Sequence, residues 1–301
     1  MSLITLSASA LIEALAARTA DGRQISEVFF VACGGSMVDL YASRFFLATE
    51  AERVRSDIDT ANEFAHAGPK ALGDESIVFV CSHGGTTPEA VESTRIAQDR
   101  GAHVVTLTHN DASDVAKFAD QNVVYEWGDE SKVQNNPMAI TLALTLEVLR
   151  HAEGYAHYDE FRDALKKIDD VVASAREQVV ERTAAFAEAY QDADLFYVLS
   201  SGASYGHAYG FASCSLMEMQ WLNAAAIHSG EFFHGPFEIT DKQTNFIVLL
   251  NEGSTRPLDE RVIAFLEQYA ERYEIVDARE LGIGALAATV VDYFNPVLFY
   301  S

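Results

Sequence analysis

A strand–turn–helix unit occurs twice in each half of this 301-residue chain, and in the same order. The stretch V-A-C-G-G-S-M-V-D-L-Y-A from Val31 matches V-L-S-S-G-A-S-Y-G-H-A-Y from Val198. Likewise, I-V-F-V-C-S-H-G-G-T-T-P from Ile77 matches F-I-V-L-L-N-E-G-S-T-R-P from Phe246. Strands that alternate with helices are typical of βαβ units, which build parallel sheets. The repeat therefore predicts two similar α/β halves.

Short apolar runs and longer amphipathic stretches locate the elements of these halves. We predict strands at Glu27–Ala32, Ile77–Cys81, His103–Thr108, Asn122–Tyr125, Leu195–Ser200, Ala225–His228, Asn245–Leu250 and Tyr273–Val276, and a helix from about Met138 to Glu153. Residues 158–190 contain no Gly or Pro and have apolar side chains at i, i+3 and i+4, which predicts one or two connecting helices. We expect domains at 1–157 and 191–301, joined by residues 158–190.

Composition excludes several classes of function. A net charge of −24 makes nucleic acid a poor partner, because binding to a phosphate backbone depends on clustered Lys and Arg. No apolar run approaches the ~18 residues that a membrane span needs, and no basic leader marks a signal peptide. The three cysteines form no C-x-x-C pair. We expect a cytoplasmic protein that binds neither nucleic acid nor membrane.

Two turns in the first half carry the residues expected of an anion site. Gly34-Gly35-Ser36 and the segment Ser82-His83-Gly84-Gly85-Thr86-Thr87 each follow an apolar strand and precede a helical pattern. Glycine allows close backbone approach, and a helix start offers free N–H groups to an anion. Neither turn contains the lysine of a P-loop. The alternative is that the Ser and Thr side chains only cap helices. Because two such turns follow neighbouring strands, we favour phosphate binding.

The second half carries the ionisable groups. Glu218 is predicted to lie on a helix, and His228, Glu231, His234 and Glu238 follow within 20 residues. A Glu and a His can act as base and acid, since one is tuned by burial and the other titrates near neutrality.

Simpler interpretations exist for some of these residues. We interpret His228 as a satisfied polar residue at a strand end. Glu231 is either part of the site or a carboxylate at a helix start. A metal site is disfavoured because no ligand pattern such as H-E-x-x-H is present.

Several other residues are interpreted as structural. Met217, Met219 and Trp221 are predicted to be core. Cys33 and Cys81 are predicted to be small buried hydrophobes, because no Cys–His pairing is visible.

The motifs together resemble a known family. V-A-C-G-G-S, S-H-G-G-T-T-P-E, M-E-M-Q-W and H-S-G-E-F-F-H-G-P-F-E-I are similar to the double sugar-isomerase (SIS) domain proteins, and most of all to the fructosamine-6-phosphate deglycases. The resemblance covers nearly the whole chain. It implies two SIS subdomains, each a doubly wound, flavodoxin-like parallel sheet with helices on both faces.

The resemblance also implies roles for individual residues. The phosphate and sugar would be bound by Gly35, Ser36, Ser82, His83, Gly84, Thr87 and Glu231. Glu218 would be the general base, and His234, from a neighbouring subunit, the acid. The enzyme would be a homodimer or larger, would need no cofactor or metal, and would cleave a fructose–amino acid 6-phosphate to glucose 6-phosphate and the amino acid.

Two alternatives remain on sequence grounds. One is an aldose–ketose phosphosugar isomerase that uses the same Glu and His. The other is a sugar-phosphate-sensing SIS regulator, against which stand the missing basic DNA-binding region and the presence of both Glu218 and His234. The synthase branch of the family carries a lysine where this chain has Ser215, so Schiff-base chemistry is not expected at that point.

Overall fold

A computed structural model describes residues 2–128 and 131–300 of the chain. The chain divides into two compact units, one up to Leu165 and the other from Lys166 onward. The division falls within one long helix, Tyr158–Ala189, which is continuous over the predicted connecting segment.

The first unit contains one parallel five-stranded sheet. Its elements are α1 (Leu3–Ala20), β1 (Glu27–Ala32), α2 (Gly35–Glu50), β2 (Arg55–Thr60), α3 (Ala61–Ala67), β3 (Ser76–Cys81), α4 (Pro88–Asp99), β4 (His103–Thr108), β5 (Gln121–Val124), α5 (Pro137–Ala152) and the start of α6 (Tyr158–Ala189), with 3₁₀ turns at Val115–Phe118 and Val133–Asn135. The strand order is β2-β1-β3-β4-β5, and all pairs are parallel.

The second unit contains a parallel four-stranded sheet. Its elements after α6 are β6 (Leu195–Ser200), α7 (Tyr205–Gly210), a π-helix (Phe211–Met219), β7 (Asn223–His228), β8 (Asn245–Leu250), α8 (Arg256–Tyr269), β9 (Arg272–Asp277) and α9 (Asn295–Phe299), with 3₁₀ turns at Gly202–Ser204, Pro236–Ile239, Ile283–Ala285 and Val291–Tyr293. The order is β7-β6-β8-β9, again all parallel. The prediction of two parallel α/β halves is confirmed.

Each sheet is covered by helices because its strands are apolar on both sides. In β3 all six residues are buried. Val78 and Val80 pack with α3 and α4, whereas Phe79, which the pleat directs to the other face, stacks on Phe30 at 5.4 Å. In the second unit, Val198 faces the α7 side and Leu199 the α8 side.

Three helices or strands of the first unit, α1, β2 and α3, were not predicted. Strand β2 has the sequence R-S-D-I-D-T, which lacks a continuous apolar run. It forms because it lies at the sheet edge and pairs with β1 alone, so its polar side chains stay partly exposed. Helix α1 was also missed.

Helix α1 is long and apolar enough to cross a membrane by length and composition alone. Only 22% of this helix is buried, and its buried residues recur on one side at helical spacing. Here α1 lies against α5, with Leu11 and Leu15 completely buried, and its Ser7 carbonyl accepts a hydrogen bond from Gln121 at 2.9 Å.

Glu153, just after α5, holds the segment between α2 and β2 in place through hydrogen bonds. Its carboxylate accepts hydrogen bonds from the backbone N–H groups of Glu52, Arg53 and Val54, at 2.9, 2.8 and 2.6 Å. Burial acts to raise the pKa of this carboxyl, but these three donors outweigh it and lower the pKa. The ionised form is therefore the one that stabilises the fold.

We expect Glu153→Gln to lower the free energy of unfolding by about 1–2 kcal/mol at pH 7, since hydrogen bonds to a charged acceptor are lost. The contribution is present above the carboxyl's unfolded pKa and is lost as the pH falls through the lowered folded pKa. Urea unfolding at pH 7 and at pH 3 checks this. The exposed Glu13→Gln is the matched control, and an equal loss there would contradict the explanation.

Candidate functional site

The two predicted anion turns of the first unit lie side by side. They follow β1 and β3, which are neighbours in register, with Val31 opposite Val80. Helix α2 begins at Gly35 and helix α4 at Pro88, directly after the turns. Both helix starts thus lie at the carboxyl edge of the sheet, where α/β folds bind ligands.

The 82–87 turn is held in shape by its own contacts. The hydroxyls of Ser82 and Thr87 are 3.2 Å apart. Gly85 has φ +67°, and a Cβ there would overlap the side chain of Ser113. Thr87 occupies the N-cap position of α4 but makes no side-chain cap hydrogen bond. The capping alternative therefore fails for Thr87, an exposed residue whose hydroxyl contacts that of Ser82.

The 34–36 turn rests on a buried polar pair. Cys81 Sγ is 4.0 Å from Asp39 Oδ2. Burial raises the pKa of the Cys81 thiol well above its usual range, and Ser36 acts in the opposite direction. Burial also raises the pKa of Asp39 well above its usual range, which favours its neutral form. Cys81 is buried as predicted, whereas Cys33 is exposed and that prediction is wrong.

His83 is exposed and packs against a group of rings. Its Nδ1 is 2.9 Å from the hydroxyl of Tyr125. Its ring stacks on His109 at 5.2 Å and meets Trp127 edge-on at 4.8 Å. Burial and, secondly, His109 lower the pKa of His83. The turn that contains His83 follows from the sequence, but the rings around it come from other strands and no local motif signals them.

Glu218 lies in the π-helix Phe211–Met219, with its side chain exposed. Such wide turns occur often at functional sites. Met217, Met219 and Trp221 are 42, 73 and 90% exposed, so the prediction that they are core is wrong. Trp221 also has φ +59°, an uncommon conformation for a bulky residue. Three large apolar side chains close to Glu218 in the sequence are therefore exposed.

Segment 229–239 is anchored in the core by Phe232 and carries His234 at the surface. Phe232 is completely buried and packs edge-on against Phe246 and Phe265, with centroids 6.2 and 5.6 Å apart. Two residues on, His234 is exposed, and Gly235 has φ +134° before Pro236. The anchor fixes the segment while the imidazole stays accessible.

His228 and Glu231 lie just before His234 in the sequence, and the structure shows the surroundings of each. His228 ends β7, and its Nδ1 accepts a hydrogen bond from Gly230 N at 3.0 Å. Burial lowers its pKa more than Glu231 raises it. It is a satisfied polar residue, as interpreted. Glu231 lies in a turn where no helix begins, so its alternative as a helix-start carboxylate is wrong.

A buried network that the sequence analysis missed lies beneath this segment. Asp259 on α8 accepts hydrogen bonds from the backbone and side-chain nitrogens of Asn251, at 3.3 and 3.0 Å. Burial raises the pKa of Asp259 to about 6, and the hydroxyls of Ser229 and Ser201 act in the opposite direction. Ser229, which begins the His234 segment, donates its backbone N–H to the Ser200 carbonyl at 2.8 Å, and Asn251 Nδ2 donates to the Ser200 hydroxyl at 3.3 Å.

The turns of the second unit that correspond to the anion turns pack against side chains of their own unit. A Cβ on Gly202 would lie 2.5 Å from the Thr255 hydroxyl, and one on Gly253 would overlap the carboxylate of Asp292. Asp292 also accepts a hydrogen bond from Ser254 N at 3.0 Å. Both positions therefore require glycine for packing within the fold.

No cluster of three or more His, Cys, Asp or Glu residues that could hold a metal ion occurs within residues 2–128 and 131–300. The predicted Glu–His group of the second unit is thus not arranged as such a cluster.

Comparison with known proteins places the chain in a class. The SIS domain family model matches residues 23–152. Among solved structures, a Salmonella typhimurium LT2 protein provisionally assigned as a phosphosugar isomerase superimposes with a TM-score of 0.95 and 39% identity, covering 99% of this chain and 89% of that one. A Bacillus subtilis protein with the same assignment gives 0.90 and 34%, covering 98 and 90%.

Two curated deglycases are similar to this chain over most of its length. The fructosamine deglycase FrlB of Bacillus subtilis (strain 168) is 36% identical over 92% of this chain and 84% of its own. The fructoselysine 6-phosphate deglycase of Escherichia coli (strain K12) is 23% identical over 87 and 76%. The chain belongs to the SIS-domain family that includes the fructosamine deglycases.

Proposed function

We propose that this protein is a deglycase that hydrolyses a 6-phosphorylated fructosamine to glucose 6-phosphate and a free amino acid. The observation that carries the proposal is that Glu218 and His234 are both present and exposed in a chain 36% identical to a fructosamine deglycase.

The phosphate is assigned to the first unit. The hydroxyls of Ser36, Ser82 and Thr87, with backbone N–H groups of Gly35 and Gly84, would bind it at the starts of α2 and α4. Neutral donors explain how a chain with a net charge of −24 accepts an anion, because the local field decides binding. His83 and Glu231 would contact the sugar or its phosphate.

The proton transfers are assigned to the second unit. Glu218 removes a proton from C1 of the open-chain ketosamine, and the C2 carbonyl oxygen is protonated, which gives an enediolamine. Return of the proton to C2 gives the imine of glucose 6-phosphate. Water adds to C1, and His234 protonates the departing amine as the C–N bond breaks. Each step is a proton transfer or a hydrolysis, which the chain's own acid and base can perform.

The experiment is a substrate comparison. The protein is incubated with fructose-asparagine 6-phosphate, fructose-lysine 6-phosphate and fructose 6-phosphate, and glucose 6-phosphate is followed by a coupled dehydrogenase. We expect release from a ketosamine, with the free amino acid formed in equal amount. Conversion of fructose 6-phosphate alone would favour the phosphosugar isomerase, whose assignment to two structural relatives makes it the second candidate.

A second copy of the chain is proposed to complete the site. Met217, Met219 and Trp221 expose apolar surface around Glu218, and large exposed apolar patches mark interaction sites. In a homodimer this patch would be covered, and His234 of one copy would serve the Glu218 of the other.

Mixing two inactive variants tests the shared site. We expect Glu218→Gln and His234→Ala, each nearly inactive alone, to regain about a quarter of wild-type activity after co-refolding, because a mixed dimer contains one intact site. Light scattering reports the oligomer. No recovery, in a preparation where mixed dimers are demonstrated, would place both residues of a site in one copy.

A further inference from the structure

His83 is surrounded by aromatic side chains that have no role in the proposed function. It directly follows Ser82, and its neighbours come from the carboxyl ends of two other strands: His109 follows β4, and Tyr125 and Trp127 follow β5. Tyr125 is 3% exposed and Trp127 is 54% exposed. The group therefore extends from the core to the surface beside the 82–87 turn.

The hydrogen bonds around Tyr125 have defined directions. His109 Nδ1 is 3.2 Å from the backbone oxygen of Tyr125, which can only accept, so His109 carries a proton on Nδ1. The Tyr125 hydroxyl is 2.9 Å from His83 Nδ1. A phenol is a stronger acid than a neutral imidazole N–H, so Tyr125 donates and His83 Nδ1 accepts.

This direction determines the other nitrogen of His83. In a neutral imidazole one nitrogen donates and the other accepts, and the partner of the first decides the state of the second. Burial and the adjacent His109 lower the pKa of His83, which keeps the ring neutral near pH 7. Its proton is then on Nε2. Stacking on His109, with an interplanar angle of 7°, fixes the plane in which that N–H points.

We propose that Tyr125 is a positioning residue that holds His83 as the Nε2–H tautomer, so that His83 donates a hydrogen bond to an oxygen of the ligand bound at the 82–87 turn. The part concerning the ligand rests on the proposed function, in which a phosphorylated sugar binds there. The part concerning the tautomer stands on the contacts of the free protein.

The tautomer is measured without substrate. In protein labelled with ¹⁵N-histidine, long-range ¹H–¹⁵N spectra distinguish protonated from unprotonated ring nitrogens, and loss of one pattern in His83→Gln assigns His83. We expect Nε2 protonated and Nδ1 unprotonated in the wild type, and a mixture of tautomers in Tyr125→Phe. A protonated Nδ1 in the wild type, or an unchanged pattern in Tyr125→Phe, would overturn the proposal.

Ligand binding is measured separately. For Tyr125→Phe we expect the dissociation constant of glucose 6-phosphate by calorimetry, and the KM of the ketosamine, to rise ~2–10-fold, the range for one hydrogen bond, with kcat nearly unchanged. Tyr158→Phe is the matched control, because the Tyr158 hydroxyl bonds to Glu147 on α5. If Tyr125→Phe changes the tautomer of His83 as expected but leaves the affinity for glucose 6-phosphate unchanged, the proposed hydrogen bond from His83 to the ligand is refuted. A protein that binds glucose 6-phosphate but cleaves no ketosamine would refute only the deglycase.

Discussion

Glu218→Gln is expected to lower kcat about 10²–10⁴-fold, the usual contribution of a general base, with little change in KM. Glutamine keeps the shape and polarity of the side chain but cannot accept the C1 proton. Because Glu218 is exposed, thermal unfolding should not change. Steady-state kinetics with the best ketosamine, together with a melting curve, measures both effects.

Glu267→Gln provides the matched control for this change. It is an exposed glutamate on α8 in the same unit, outside the proposed machinery. We expect its kcat to equal that of the wild type. A fully active Glu218→Gln, or an equal loss in Glu267→Gln, would remove Glu218 from the mechanism.

Gly85→Ala is expected to have the second large effect, on both stability and binding. Alanine at φ +67° is strained by about 1–2 kcal/mol, and its Cβ would overlap Ser113, so the 82–87 turn must shift. The hydroxyls of Ser82 and Thr87 would then separate, and we expect the KM of the phosphorylated substrate to rise at least ~10-fold. Urea unfolding and kinetics with the phosphorylated substrate are the measurements.

The neighbouring Gly84→Ala separates strain from ligand contact. Gly84 has an ordinary φ, and a Cβ there would meet only the Thr86 hydroxyl at 3.8 Å. We expect its unfolding curve to match the wild type, so any loss of binding reports the bound phosphate itself. If Gly85→Ala were as stable as Gly84→Ala, the rigid-turn explanation would be wrong.

The parallel sheets were predictable because their central strands are continuous apolar runs between small-residue turns. Strands β1, β4, β6 and β8 have the predicted bounds. Edge strand β2 was not predictable in this way, because its sequence R-S-D-I-D-T contains a single apolar residue, whereas the edge strands β5, β7 and β9 keep short apolar runs. Whether such a segment forms a strand is decided by its pairing partner and its position in the sheet rather than by its local sequence.

Candidate site residues could be predicted from the sequence where they belong to one turn of the chain. They could not be predicted where they come from elements that are distant in the sequence. Ser82 and Thr87 belong to one loop, and the structure brings their hydroxyls together. Asp259 and Tyr125 reach the site edges from other elements, so no local motif signals them. For Met219 and Trp221 the apolar residue type indicated a core, but the fold of a single copy leaves them exposed.

The turns of the second unit bear on how the two halves of the repeat differ. Thr255 packs against Gly202, and Asp292 packs against Gly253, at the positions that the repeat aligns with Gly35 and Gly84. A Cβ on Gly84 would instead meet only the Thr86 hydroxyl, at 3.8 Å. The strand ends of the second unit also carry the Asn251–Asp259 network. In the proposed function, the first half alone therefore binds the phosphate, and the second half supplies the acid and the base.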